Sequence, residues 1–301
     1  MKPSSLQISF APALVFIVGL LTSTAIAQTT SYWDGGSVGS NVTWTTASNW
    51  VGDVVAPSAS NSDLVFNNRT GGGLLPSALN IGADRIAGLI TFDNINSVLP
   101  ATLNIDTNAS STTSPRTLTL FTGITLQNTA TTVYLRGNNS TLSIVLGANN
   151  TFTTSTGATL QIAPIISGAF RVTKAGEGTV SLEASNTFTG GVMINQGTLR
   201  ILTTTGVGAT PSSFVADQVI INGGTLEYAG SGNTSTANRG FSLGSSVGTI
   251  SVSTPAATYQ IAGVISDVAG QAGVLRKTGT GTLYLNPGSG WPTGVSRLDI
   301  N

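Results

Sequence analysis

The sequence predicts an all-β fold, a β-solenoid of stacked coils. Three observations carry it: period-two strand patterning, regular Gly and Asn punctuation, and an internal repeat. Apolar residues alternate with polar ones in Leu118-Thr119-Leu120, Ile124-Thr125-Leu126, Val133-Tyr134-Leu135 and Leu142-Ser143-Ile144. Similar triplets follow at Leu160–Ile162, Val180–Leu182, Val192–Ile194, Leu199–Ile201, Val219–Ile221, Ile250–Val252 and Leu283–Leu285. Period two puts the apolar members on one buried face. Between them lie clusters such as Gly147-Ala148-Asn149-Asn150 and Asn222-Gly223-Gly224, residues that tolerate the left-handed backbone of tight turns.

Short strands at about ten-residue spacing also suit a sandwich or a barrel, and the repeat decides between them. Lys174-Ala175-Gly176-Glu177-Gly178-Thr179-Val180-Ser181-Leu182 matches Lys277-Thr278-Gly279-Thr280-Gly281-Thr282-Leu283-Tyr284-Leu285. Upstream, Ile162-Ala163-Pro164-Ile165-Ile166-Ser167 matches Ile261-Ala262-Gly263-Val264-Ile265-Ser266. A recurring strand-turn-strand unit suits coils that each bury an apolar edge on the next.

The first 27 residues read as a secretory signal. Lys2 is the basic start, Phe10 to Leu21 the apolar centre, and Ala25-Ile26-Ala27 a small-x-small cleavage site. An apolar run of roughly 12 residues is short for a membrane span, and no later segment suits one. Exported residues 28–301 hold eleven basic and twelve acidic side chains. The chain has no Cys and no His. That excludes imidazole-based triads, thiolate chemistry, His-bound metals and disulfides. Three lysines and a net charge of zero give no electrostatic footprint for nucleic acid.

Residues 168–202 carry a more specific pattern. Lys174-x-Gly-x-Gly-Thr179-x-x-Leu182 leads to Asn186-Thr187-Phe188-Thr189-Gly190-Gly191, then Gly197-Thr198-Leu199. In order and spacing this resembles the autotransporter-associated β-strand repeat. The opening, Tyr32-Trp33-Asp34-Gly35, Ala47-Ser48-Asn49-Trp50 and Asp63-Leu64-Val65-Phe66, is similar to the N-termini of such proteins. The resemblance implies a right-handed parallel β-helix and a bacterial exported passenger. The expected organisation is a signal at 1–27, capping and first coils at 28–100, and a β-helix at 101–301. Repeats fall near 159–202 and 257–301, the last incomplete. After Leu285 the sequence reads Asn286-Pro287-Gly288 in place of the Asn-Thr-x-Thr-Gly-Gly unit.

The expected function is non-enzymatic: a surface or secreted passenger for display, matrix or adhesion, periplasmic where no outer-membrane partner serves it. One rival is a carbohydrate-binding or carbohydrate-active β-helix; another is a fragment of a larger autotransporter. No catalytic, cofactor or metal residue is nominated. Trp33, Trp44 and Trp50 form either a hydrophobic end cap or a glycan-stacking platform, and the cap is the favoured reading. Glu177, Glu183, Asp34, Asp53 and Asp63 are too scattered for an acid–base pair and read as solvated carboxylates. Gly35-Gly36-Ser37-Val38-Gly39 has the letters of a nucleophile elbow without a His partner. Lys174 and Lys277 read as exposed charges that blunt edge pairing. Expected partners are polysaccharide or cell-surface components, with end-to-end self-association at an open C-terminal coil in which Trp291 is the alternative plug.

Overall fold

In the computed structural model, residues 27–35, 43–67, 78–93, 102–106, 115–127, 131–136, 142–285 and 297–300 are described. The signal segment up to residue 26, Gly36–Gly39 and Trp291 lie outside them. The strands form three sheets of twelve, ten and three strands, all paired in parallel. Successive strands along the chain pass from the first sheet to the second and back, so each turn of chain stacks on the one before. The result is a parallel β-solenoid, as the patterning predicts.

Columns of like residues run through the stack. In the first sheet Leu64, Ile90, Ile124, Phe152, Lys174, Ile194, Ile221 and Leu243 are successive register partners. In the second the column is Leu103, Val133, Leu160, Val180, Leu199, Leu226, Ile250 and Lys277. The apolar members of both columns are buried. Each such side chain contributes about 1.5–3 kcal/mol by leaving water. One slip of register would turn a whole strand inside out, so the columns fix the stacking.

A third sheet appears late, at Asn233–Ser235, Thr258–Ile261 and Thr282–Leu285. Tyr228 and Tyr259 stack at the corner that it creates, with ring centroids 4.6 Å apart. The two sequence copies therefore build different corners. Val172–Ala175 and Thr179–Leu182 join the first sheet to the second. Val274–Thr278 and Thr282–Leu285 join the second to the third. The repeat encodes a bend rather than a place in a given sheet.

At the N-terminal end, Trp33 closes the edge strand Thr29–Trp33 and forms an antiparallel bridge to Trp50. Trp44 and Trp50 flank the 3-10 turn Ala47–Asn49. All three rings pack around Phe66 at centroid distances of 5.5, 5.1 and 5.7 Å. Trp50 Nε1 donates to the Trp44 carbonyl at 2.9 Å, which satisfies one indole within the cluster.

Candidate binding face

The polar groups of the repeat motif are bonded inside the fold. Lys174 is fully buried, which corrects the expectation of an exposed charge. It occupies an inward column position between Phe152 and Ile194. Its Nζ donates to the carbonyls of Ala175 at 2.8 Å, Gly176 at 2.5 Å and Gln196 at 3.1 Å. The last of these lies on the next coil, so one ammonium ties two turns together. Burial pushes its pKa down from 10.5 to about 8, with Glu177 opposing the shift. Lys277 takes the corresponding column position and donates to the Gly279 carbonyl at 2.5 Å. It is half-buried rather than exposed.

The glycines of the unit follow from the same turn. Gly176 has φ +71°, and a Cβ there would stand 2.4 Å from the Thr154 carbonyl oxygen. At Gly178 a Cβ would meet the Ser155 carbonyl oxygen at 2.3 Å. Asn186 is buried, accepts from Ile166 N at 2.8 Å and donates to the Gly206 carbonyl at 2.8 Å. It thus bridges the coils on either side of its own.

The carboxylates are staples between coils. Glu177 accepts from Gln196 Nε2, and Glu183 from Gln161 Nε2. Asp93 accepts from Gln127 at 3.0 Å, and Asp63 from Gln28 at 2.5 Å. Asp217 pairs with Arg171 at 3.1 Å, and Glu227 with Arg200 at 3.8 Å. Glu177 and Glu183 each bond an amide of another coil and not each other. No described group of three or more Asp, Glu, His or Cys is placed to hold a metal.

Trp33, Trp44 and Trp50 are 2%, 0% and 1% exposed. Sugar stacking needs an open ring face, and none of the three has one. Sequence reading missed two buried cations, Arg85 and Arg239. Arg85 Nη2 donates to the Ala56 carbonyl at 2.7 Å. Arg239 donates to the carbonyls of Thr204, Gly208 and Ala209. Burial lowers the pKa of both. Nothing in their flanking sequence marks them, because their acceptors lie about 30 residues away.

With the interior accounted for, the outward side of the second sheet is the candidate face. Thr132, Thr159, Thr179, Thr198, Thr225 and Thr249 are successive register partners. Beside them runs a mixed row: Tyr134, Gln161, Ser181, Arg200, Glu227 and Ser251. Rungs about 4.8 Å apart make this a rigid lattice of hydroxyls with charged neighbours. A shallow depression opens where Gln161, Glu183, Arg200 and Glu227 meet. The face offers many hydrogen-bond donors and acceptors.

The passenger-associated-transport repeat family matches residues 172–201 and 275–291. The first match spans the Lys174–Leu182 corner and the Asn186 bridge; the second begins on the strand that carries Lys277. The chain is 34% identical over 174 residues to the adhesin BmaC autotransporter of Brucella suis biovar 1. That alignment covers 54% of this chain and 5% of the adhesin. No solved structure matches. Among the described residues no helix is long and apolar enough to cross a membrane. Over these segments the chain is similar to autotransporter passenger repeats.

Proposed function

We propose that this chain is a non-enzymatic, exported, adhesin-like passenger that displays its second-sheet face at the cell surface. The observation that carries this reading is the in-register solenoid itself. Its buried lysine, asparagine and arginines tie coil to coil, and a row of hydroxyls faces outward. The transport repeat and the likeness to an autotransporter adhesin support the same reading. The function is then binding to polysaccharide or cell-surface components, with affinity spread over many weak polar contacts. The test is expression of the full chain with its own leader in a Gram-negative host. Antibody labelling of intact cells, and adhesion to coated glycans or host cells above an empty-vector control, are expected. Retention of the chain in the cytoplasm, or export without any adhesion, overturns the proposal.

A further inference from the structure

The third sheet has an outward face with a chemistry unlike that of the second. Along Thr258–Ile261 the period of two sends Tyr259 and Ile261 into the core and leaves Thr258 and Gln260 outside. Register then aligns Thr234, Gln260 and Tyr284 in one outward row, with Thr258 beside Thr282 in a second. Thr234 Oγ1 donates to Gln260 Oε1 at 3.1 Å, which fixes the amide plane. Ser231, Gly232 and Ala256 complete a shallow depression around Thr234, Thr258 and Gln260. Tyr284 stands one rung from Gln260 and is 48% exposed.

This face is neutral. The stretches 231–236, 254–260 and 278–285 contain no Asp, Glu, Lys or Arg. It therefore carries no side-chain charge to attract a phosphate, a polyanion or a cation. What it does present is an exposed aromatic ring beside hydroxyls and an amide, groups that both donate and accept. A pyranose has the complementary surface, an apolar C–H face bounded by hydroxyls.

We infer that the third-sheet face binds a neutral oligosaccharide. The Tyr284 ring packs against the C–H face of one sugar. The Gln260 amide and the hydroxyls of Thr234, Thr258 and Thr282 hydrogen-bond its rim and the neighbouring residue. The rungs hold these groups in place before the ligand arrives, which reduces the ordering cost of binding. Ala256 shapes the turn beside the site with φ +60°, an unusual conformation for a residue with a Cβ. The site gives the adhesive reading a ligand class, yet it is tested in solution and so can fail while surface display holds.

The experiment is an array of neutral gluco-, galacto- and manno-oligosaccharides beside sulfated and uronic-acid glycans. It is probed with the purified exported chain and followed by titration of the retained sugar. Retention of a neutral oligosaccharide is expected. Affinity should fall at least tenfold in Tyr284→Ala and severalfold in Gln260→Ala, and should hold or tighten in Tyr284→Trp. Unchanged far-UV spectra and cooperative thermal melts show that each variant is folded. Binding by anionic glycans alone, no retention of any neutral sugar, or equal affinity of wild type and both alanine variants overturns the inference. If Tyr284→Ala does not fold, Gln260→Ala and Tyr284→Trp carry the test.

Discussion

Lys174 is a buried amine that three carbonyls solvate in place of water. Its folded pKa of about 8 lies below the ordinary 10.5. Between those values the unfolded chain keeps a proton that the folded chain has lost. Stability from this group therefore rises with pH across that window. The value of about 8 already includes the opposing effect of Glu177, and the gain across the window is at most about 3 kcal/mol, less where solvent screens the charge. Lys174→Met removes the dependence and leaves three carbonyls without a donor. It should cost about 2 kcal/mol at neutral pH. Urea midpoints of wild type and variant from pH 7 to 10.5 read both effects, and parallel profiles would refute the assignment. Gly176→Ala should be worse, about 3 kcal/mol, because a positive φ and a blocked Cβ position act together. The Lys-x-Gly-x-Gly pattern was visible in the sequence, but its reason was not. A lysine flanked by small polar residues reads as a surface charge until the register places it in a core column.

At the scale of the element, the corner unit explains what was legible. Period-two triplets and the nine-residue repeat contain their own evidence, so strands and solenoid class could be read directly. The third sheet could not. Both copies of the unit are alike in sequence, and the third side begins at Asn233–Ser235, in a coil no longer than its neighbours. Arg239 and Tyr259, which fill that corner, interact with residues far along the chain. If the unit encodes a bend alone, the two copies are interchangeable. Replacing residues 174–182 with the Lys277–Leu285 sequence should leave the far-UV spectrum intact and shift the melting temperature by only a few degrees. Glu177 and its Gln196 contact are lost in this exchange, a surface interaction of under about 1 kcal/mol. Collapse of the fold would mean that each copy is tuned to its own sheet.

For the whole molecule, a parallel stack has a direction and two exposed ends, and its N-terminal end is closed by aromatic rings. Trp50→Ala should destabilise by about 3–5 kcal/mol through the cavity it leaves beside Phe66, and it also removes the indole bond to the Trp44 carbonyl. An opened end presents unpaired backbone and apolar column residues, so this variant should aggregate on heating more readily than wild type. Stacking also sets the shape. The main path of the first sheet runs through ten strands, and nine spacings of about 4.8 Å extend it over roughly 43 Å. Width does not grow with coil number, because each coil contacts only its neighbours. Length and width are therefore decoupled, unlike in a globule of equal mass. Sedimentation velocity of residues 28–301 should give a frictional ratio only modestly above that of a compact protein, because a stack of roughly 43 Å is short for its mass. Deleting the coil between Val192 and Val219 should shorten the particle by one rung and leave its width unchanged. A deletion that abolishes the β-type spectrum, or that leaves the particle length unchanged, would show that the coils do not stack as near-independent layers.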